Sequence, residues 1–370
     1  MNVPIIDLKA NYNSVKGEVD SAIQNVLNDS AFILGKYVEE FERNFAAFCN
    51  YEHSAAVNSG TAALHLALIA AGVKPGDEVI TTPFSFFATA EAISLCGAVP
   101  KFVDVDPETY NLDFRQLDGA LSKKTKAIVP VHLYGQPADV DEIVDFADEH
   151  DLRVIEDCAQ AHNAVYRGKK LPVAGTGCFS FYPTKNLGAF GEGGIVVSSD
   201  DELIDKVKLL RAHYERPKNV HNDIGFNYRM EGFQGAILNA KLKKLDEWTE
   251  ARRNNAKTYN ELLKGLESKI TLPKEKSYVK HVFHLYAIQA ERRDELKTFL
   301  EGKGISTGVH YPTPIHLQPA YEELDYKEGS FPNAEAISKK ILSLPMYPEL
   351  TREQIEYVAG AVREFCTTTP

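Results

Sequence analysis

The sequence has few cysteines and no long apolar run. Its five cysteines are scattered, without a Cys-x-x-Cys pair or metal-ligand spacing: Cys49, Cys96, Cys158, Cys178 and Cys366. Neither a disulfide framework nor a bound metal is therefore predicted. No segment approaches the roughly 20 apolar residues that a membrane helix needs, and the first residues lack the basic head and apolar stretch of a signal peptide. We expect free thiols in a reducing compartment, the cytoplasm, and no membrane partner.

Positive charge is also scarce. The 41 lysines and arginines are outnumbered by 52 aspartates and glutamates, which gives a formal net charge of −11. Proteins that bind nucleic acid need clustered cations to displace condensed counterions, so no nucleic-acid partner is expected. A glycine-rich dinucleotide fingerprint is absent as well, because no Gly-x-Gly-x-x-Gly follows the first predicted strand. This argues against a nicotinamide dehydrogenase.

What is present is the composition of an ordinary globular protein, with 44% hydrophobic and 25% charged residues. Between about residues 57 and 200, short β-branched runs alternate with stretches of helical periodicity, which predicts an α/β fold. The predicted strands, several of them apolar on both faces, are 79–82, 100–105, 127–131, 153–157, 178–181 and 194–198. The predicted helices between them are 61–71, 140–150 and 202–213.

The last third of the chain shows a different pattern. Apolar residues from 232 to about 263 recur every three or four positions, which predicts one long connecting helix. A strand at 282–289 and helices at 294–302, 333–342 and 352–365 then predict a small α+β unit. Because 370 residues exceed what one hydrophobic core usually supports, we expect a large domain of residues 1–248 and a small domain of residues 249–370.

Residues 177–188 end a predicted strand and place Lys185 in a loop among aromatic and small side chains. Desolvation in such surroundings lowers the pKa of a lysine and frees its amine as a nucleophile. A solvated loop lysine explains this segment equally well, so other residues must decide.

Two further motifs suggest a bound cofactor. Asp157 ends a buried type of strand, where a carboxylate can hold a pyridine nitrogen protonated; a helix N-cap is the alternative. Ser59, Gly60 and Thr61 open an apolar helix whose free amides favour a phosphate, and simple capping is the alternative. The aromatic turn at 82–89 can supply a ring to stack on a flat heterocycle, although core packing explains most of its rings.

Taken in order, these motifs resemble the DegT/DnrJ/StrS family of nucleotide-sugar aminotransferases. The resemblance extends over nearly the whole chain and includes the segments 4–8, 58–64, 75–80, 131–136, 155–160, 180–186, 225–230 and 310–312. It implies the type I fold of pyridoxal-phosphate-dependent aminotransferases, with a mostly parallel central sheet, helices on both faces and a small α+β C-terminal domain. It also implies pyridoxal phosphate as cofactor, a nucleotide sugar and L-glutamate as substrates, and a homodimer with shared active sites.

The resemblance also implies residue roles. Lys185 would bind the cofactor covalently and move a proton, and Asp157 would pair with the pyridine nitrogen. The implied cofactor-binding residues are Gly60, Thr61, Phe86, Asp157, Gln160, Ser180, Lys185 and Asn227. Among these, Gln160 would contact the ring hydroxyl, Phe86 would lie against the ring face, and Asn227 would reach the phosphate of the neighbouring subunit. The candidate substrate-binding residues are His162, Tyr182, Arg229, His310, Tyr311 and His316.

The resemblance also bears on the substrate and the type of reaction. His162 resembles the subgroup that acts on dTDP-linked 3-keto-6-deoxyhexoses, with a packed histidine as the alternative. The expected product is a dTDP-3-amino-3,6-dideoxyhexose, and a UDP-linked or 4-keto sugar is the alternative. A lysine at position 185, where sugar-dehydrating relatives carry histidine, favours transamination over dehydration, and Lys185, Asp157 and Gln160 together argue against a catalytically silent protein. Asn163 replaces a glycine common in the family, and asparagine tolerates the left-handed backbone expected there.

Overall fold

The computed structural model describes residues 1–368, which form a large α/β layer and a smaller α+β unit. The helices are α1 (Leu8–Ser14), α2 (Lys16–Asp29), α3 (Lys36–Phe48), α4 (Gly60–Ala70), α5 (Ala88–Leu95), α6 (Val140–Glu149), α7 (Asp201–Leu210), α8 (Gly232–Leu242), α9 (Leu245–Leu263), α10 (Arg293–Gly302), α11 (Pro332–Lys340) and α12 (Arg352–Thr368). None of them is long and apolar enough to cross a membrane.

The strands are short. They are β1 (His53–Val57), β2 (Glu78–Thr81), β3 (Val99–Phe102), β4 (Thr125–Ile128), β5 (Arg153–Val154), β6 (Glu156–Asp157), β7 (Val165–Tyr166), β8 (Lys169–Lys170), β9 (Thr176–Ser180), β10 (Gly194–Ser198), β11 (Ile270–Thr271), β12 (Val279–Lys280), β13 (Tyr286–Ala290) and β14 (Ile341–Leu344).

The central sheet is continuous and mostly parallel. Its first half has the order β3-β2-β4-β5, with every pairing parallel, and its second half has the order β6-β9-β10-β1. Strands β5 and β6 are two parts of one extended segment, and Asp157 N donates to Pro130 O at 2.9 Å, which joins the halves. Only β10 runs antiparallel to its neighbours, β9 and β1. The parallel strands therefore bring their carboxyl ends to one edge.

Helices cover both faces of this sheet because its strands are apolar on both sides. Neighbouring residues of β9 divide between two cores: Cys178 packs with α4, and Phe179 packs with Phe41 and Phe45 of α3. This alternation is the two-residue period of a strand. The predicted mostly parallel sheet with helices on both faces is thus confirmed.

The C-terminal unit has its own core. Strands β11, β13 and β14 form an antiparallel sheet that packs with α10, α12 and the second half of α9. Val3 also packs in this core, and its amide donates to Gly304 O at 2.9 Å. We propose residues 1–248 and 249–370 as the two domains, with the segment around Val3 packed on the small domain.

Some predicted elements differ from the structure. The predicted helix from residue 232 to 263 is two helices, because the chain turns at Lys243 and Lys244 between α8 and α9. The predicted helix 333–342 ends at Lys340 and continues as β14, whose four residues are all buried. The predicted strand 282–289 begins only at Tyr286, since the preceding residues donate to Gly135 and Tyr134 carbonyls of the large domain.

Candidate active site

Helix α4 begins in direct contact with the end of β9. A Cβ atom on Gly60 would lie 2.6 Å from Ser180 Cβ, so only glycine allows this approach. Ser59 caps the helix, and its hydroxyl accepts from Ala62 N at 3.0 Å. Thr61 follows in the first turn. The contact places the Ser180 hydroxyl beside the first amides of a helix, where the free N–H groups and the helix dipole favour an anion.

Asp157 lies at the same edge, at the end of β6, and is buried. Its Oδ2 atom accepts from Thr89 Oγ1 at 2.8 Å, and its Oδ1 atom accepts from Ala159 N at 3.1 Å. Burial raises the pKa of this carboxyl, whereas the two hydrogen bonds and the nearby Lys185 ammonium oppose the rise. The residues directly after Asp157 form turns and not an α-helix, so the helix-cap alternative does not apply.

Lys185 is partly buried in the loop that follows β9. A turn fixes its backbone, with Lys185 N donating to Tyr182 O at 2.8 Å. The next residue, Asn186, donates to Val282 O at 3.1 Å and pairs with His284 Nδ1 at 3.3 Å. Burial lowers the pKa of Lys185 to about 8, and the nearby negative charge of Asp157 opposes this decrease. Desolvation therefore prepares this amine as a nucleophile, as the first of the two interpretations of the loop predicts.

Gln160 connects the site to the C-terminal part of the chain. Its Oε1 atom accepts from Tyr134 N at 2.8 Å, and its Nε2 atom donates to Tyr311 Oη at 3.0 Å. The Tyr134 hydroxyl in turn donates to the carbonyl of His310. The ring of Phe86 lies 6.0 Å from that of Tyr311 and is 56% exposed, so one of its faces is open. The structure thus brings Phe86, Gln160, His310 and Tyr311 together.

His162, a predicted substrate-binding residue, is packed in the protein interior. Its ring is fully buried and lies 5.4 Å from the ring of Phe179 and 5.6 Å from that of Phe181. Neither ring nitrogen has a hydrogen-bond partner among the described residues, and burial lowers the pKa of this histidine to about 3. The structure therefore shows the packed histidine of the alternative interpretation, and a role of His162 in substrate binding stays a prediction.

His316 is likewise not brought to the site. Its ring is buried, pairs with Glu335 at 3.1 Å and lies 4.7 Å from the Phe331 ring. These contacts hold it inside the core around α11. Tyr182, by contrast, is exposed at the loop of Lys185.

Asn227 and Arg229 lie beside the start of α4, since Asn58 N donates to Tyr228 O at 2.9 Å. Asn227 is exposed, and its Oδ1 atom accepts from Arg229 Nε at 3.0 Å. Contact of Asn227 with a neighbouring subunit stays a prediction. At Asn163, φ is 68°, as expected for a residue in the place of glycine, and its amide donates to Asp246 and Thr249.

Sequence reasoning missed Thr89, Tyr134 and Asn186, each of which holds a predicted site residue. Their partners are distant in the sequence or lie on the backbone, so no local signal marks them. It also missed a buried group beneath Asp157 in which His132, Glu156 and Cys158 place their ligand atoms within 4.8 Å of one another. Glu156 there accepts from His132 and from two backbone amides, and His132 Nδ1 accepts from Ala138 N. These hydrogen bonds give the group a role in the fold.

The site residues fit pyridoxal phosphate. A side chain at residue 60 would fill the cradle between α4 and Ser180, which suits a phosphate. Asp157 supplies a buried carboxylate for a ring nitrogen, Phe86 an open aromatic face, and Lys185 an amine with a lowered pKa.

The chain matches the DegT/DnrJ/EryC1/StrS aminotransferase family over residues 13–363. It is 49% identical to a "pleiotropic regulatory protein" of Geobacillus stearothermophilus, covering 99% of both chains. It is 43% identical to dTDP-3-amino-3,4,6-trideoxy-alpha-D-glucose transaminase of Streptomyces venezuelae, covering 98% of this chain and 96% of the relative. It is 42% identical to UDP-N-acetyl-3-dehydro-alpha-D-glucosamine 3-aminotransferase of Acidithiobacillus ferrooxidans, covering 98% of this chain and 97% of the relative.

The fold agrees with these relationships. The solved structure of S. venezuelae DesV in complex with a ketimine intermediate superposes with a TM-score of 0.98 at 43% identity and covers 100% of both chains. The predicted type I aminotransferase fold and the pyridoxal-phosphate cofactor are confirmed. The chain belongs to the DegT/DnrJ/EryC1/StrS aminotransferase family and is a pyridoxal-phosphate-dependent sugar aminotransferase that acts on nucleotide-linked keto sugars.

Proposed function

We propose that this enzyme transfers an amino group from L-glutamate to the 3-keto group of a dTDP-linked 6-deoxyhexose, giving a dTDP-3-amino-3,6-dideoxyhexose. The observation that carries the proposal is the meeting of Lys185, Asp157 and the Gly60 contact with Ser180 at one edge of the sheet. These residues supply a nucleophilic amine, a buried carboxylate and an anion cradle. Transamination with pyridoxal phosphate needs all three.

Two relatives support position 3 of the sugar. One is named for a dTDP-linked 3-amino sugar and the other for a UDP-linked 3-dehydro sugar. Their identities to this chain, 43% and 42%, do not separate the two nucleotides. A UDP-linked sugar is therefore the second candidate. A 4-keto sugar and a dehydration are weaker alternatives, and Lys185 speaks against the dehydration.

The residues of the site divide the chemistry between them. When bound, pyridoxal phosphate accepts the donor's amino group and withdraws electrons from the carbon that loses a proton. Lys185 Nζ would hold the cofactor covalently, and its amine would be free when the donor is bound. Because burial lowers the pKa of Lys185 to about 8, a larger fraction of its amine is uncharged near neutral pH, and this amine would take a proton from the donor carbon and deliver it to the neighbouring carbon of the cofactor.

The other residues bind and orient. Asp157 would keep the ring nitrogen protonated, and Gln160, fixed by Tyr134 N, would contact the ring hydroxyl. The amides at Gly60 and the hydroxyls of Thr61 and Ser180 hold the phosphate. The open ring of Phe86 covers one face of the cofactor. Among the predicted substrate-binding residues, His310 and Tyr311 have the most direct support, because Tyr311 contacts Gln160.

A homodimer with shared active sites is part of this proposal. Several apolar side chains near the site are exposed in the single chain, including Ile33 at 53% and Ile224 at 82%. Large apolar side chains with this exposure are consistent with an interaction surface. Asn227 lies in the same region, exposed and oriented by Arg229. A second copy of the chain would cover this surface and bring Asn227 to the partner's cofactor site.

The substrate assignment is tested with purified holoenzyme, L-glutamate and a panel of dTDP- and UDP-linked keto sugars. Locating the new C–N bond by NMR should show an amine at carbon 3 of the dTDP-linked 6-deoxyhexose. An amine at carbon 4 would overturn the proposed position of amination. Faster turnover of a UDP-linked sugar than of the dTDP-linked sugar would show that the substrate carries UDP. Sugar deoxygenation with release of ammonia would show a dehydratase instead.

A further inference from the structure

Lys241, on α8, is a second lysine in an unusual environment. Its side chain is only 2% exposed. The ammonium donates to Gly188 O at 2.5 Å and lies 5.0 Å from the ring centre of Phe190 and 5.8 Å from that of Trp248. No carboxylate within residues 1–368 forms an ion pair with it, although the charge of Glu349 favours its protonated form. Lys241 is thus a buried cation whose partners are a carbonyl and two aromatic faces.

The carbonyl that Lys241 holds belongs to the loop of Lys185. Gly188 follows Lys185 by three residues and closes the loop tightly, since a Cβ atom on Gly188 would lie 2.3 Å from Pro183 O. On the far side of the loop, Asn186 donates to Val282 O at 3.1 Å. Hydrogen bonds therefore fix the loop on two sides, one from Asn186 to Val282 and one from Lys241 of α8 to Gly188.

Helix α8 supports the loop at a second point. Gln234 lies about two turns before Lys241 on the same face of α8, and its Oε1 atom accepts from Phe190 N at 3.0 Å. Helix α8 in turn packs along α2 and α3. The backbone on the C-terminal side of Lys185 therefore rests on a rigid element rather than on another loop.

We propose that Lys241 is a positioning residue for the reaction: its ammonium fixes the Gly188 carbonyl and so holds Lys185 within reach of the cofactor. The inference rests on the role proposed above for Lys185.

The energetics support a specific role for the ammonium. Burying a cation without an ion-pair partner carries a large desolvation penalty, and burial lowers the pKa of Lys241 to about 8. An apolar side chain of similar length would fill the same space without that penalty. What the ammonium adds is a charge-assisted hydrogen bond, which is stronger and more directional than a neutral one. Its cation–π contacts with Phe190 and Trp248 partly replace the lost water.

The test compares holoenzymes carrying Lys241→Met, Lys241→Arg and the matched control Lys243→Met, which changes an exposed lysine two residues away. The first measurement is a pH titration of the absorbance of the bound cofactor, which reports the protonation of the nitrogen contributed by Lys185. The second is the separation of kcat from KM for the sugar substrate. Circular dichroism and the unfolding midpoint establish that each variant is folded.

We expect Lys241→Met to shift the titration midpoint and to lower kcat about tenfold or more, because small displacements of a reacting group have large effects on rate. KM for the sugar should change little, Lys241→Arg should restore both properties in part, and Lys243→Met should match the unsubstituted enzyme. A folded Lys241→Met enzyme with an unchanged titration and kcat would overturn the proposal.

If Lys241→Met does not fold, Lys241→Gln replaces it in the test. A shifted titration and a lower kcat would again support the proposal, and unchanged values of both would overturn it. The titration needs no sugar, so it distinguishes this inference from the proposed substrate. If the unsubstituted enzyme shows the titration but aminates no nucleotide sugar, the substrate proposal fails. The effect of Lys241→Met on the titration midpoint would still decide whether Lys241 positions Lys185.

Discussion

Thr89 donates a hydrogen bond to Asp157 Oδ2 at 2.8 Å, and both side chains are buried. Thr89 belongs to the first turn of α5, which directly follows Phe86, so one short segment supports Asp157 and presents an aromatic face. Burial alone raises the pKa of Asp157, and the Thr89 hydroxyl opposes that rise by stabilising the carboxylate. The Thr89 hydroxyl, which does not itself titrate, therefore favours the charged form of Asp157.

Replacing Thr89 with valine keeps the shape of the side chain and removes this donor. A hydrogen bond to a charged group contributes about 1.5–3 kcal/mol, so we expect kcat to fall about tenfold or more and the acidic limb of the pH–rate profile to move to higher pH. Thr89→Ser retains the hydroxyl and should stay close to the unsubstituted enzyme. A Thr89→Val enzyme with an unaltered pH profile would contradict this role.

Gly60→Ala should damage cofactor binding. The new Cβ atom would lie 2.6 Å from Ser180 Cβ and 3.1 Å from its Cα atom, so the start of α4 must move away from β9. We expect the Kd for pyridoxal phosphate, measured by absorbance titration of the apoenzyme, to rise about a hundredfold, through loss of the phosphate site. Gly17→Ala is the control, since a Cβ on Gly17 meets no atom within 4 Å. An equal effect of both substitutions would rule out this explanation.

Lys185→Ala should abolish covalent attachment of the cofactor and reduce turnover by a factor of at least about a thousand, because both the nucleophile and the proton carrier are lost. Borohydride reduction followed by mass spectrometry of the intact chain measures the attachment. The control is Lys123→Ala, which changes an exposed lysine. If the Lys185→Ala protein still gained the mass of the reduced cofactor, another lysine would hold it.

Shared active sites make a prediction for mixed dimers. Asn227→Asp places a negative charge where a phosphate is expected, and we expect it to be nearly inactive alone, as is Lys185→Ala. After unfolding and refolding of an equal mixture, half of the dimers are mixed and each has one intact site, so activity should recover to about one quarter of the unsubstituted level. Recovery should not occur if each subunit completes its own site.

His162 should contribute to loss of stability in acid. Its pKa is about 3 in the folded chain against an ordinary value of 6.5, so the unfolded chain binds a proton between these values and the folded chain does not. Stability is retained above pH 6.5 and decreases as the pH falls towards 3. Between pH 7 and pH 5 the linked loss is about 2 kcal/mol.

Urea unfolding of His162→Leu at pH 7 and pH 5 should therefore show a smaller difference in the free energy of unfolding than the unsubstituted enzyme, by about 2 kcal/mol. Replacement of an exposed histidine, His221→Leu, should leave the difference unaltered. An identical acid response of His162→Leu would mean that the ring is already protonated, or hydrated, in the folded enzyme.

Buried strands in the middle of the central sheet could be predicted from the sequence. Strand β10 has its predicted bounds because its five residues are all buried and include β-branched side chains. Helix α2 was not predicted, since only Val19 and Val26 of its 14 residues are buried. The break between α8 and α9 was missed because the apolar spacing from Ile237 to Trp248 continues across it. Strand β14 was missed because tertiary pairing with β13 overrides a sequence that continues the periodicity of α11.

The site shows the same division. Lys185, Asp157 and Gly60 could be predicted as site residues because each stands in a local motif at the end of a strand. Thr89 and Lys241 were not, because Thr89 is 68 residues from Asp157 and Lys241 is 53 residues from Gly188. Local sequence therefore indicates the residues proposed to react, whereas the residues that contact them are identified only from the folded structure.

The packing of Val3 against the small domain has a consequence for the order of assembly. Val3 pairs with Ile305 in a parallel bridge, and its carbonyl accepts from Ser306 N at 2.9 Å. During synthesis the segment around Val3 emerges about 300 residues before this partner, which at typical ribosomal rates is an interval of tens of seconds. The central sheet can form in that time, whereas the segment around Val3 cannot pair until Ile305 has been synthesised. Completion of the small domain then draws both ends of the chain into one core.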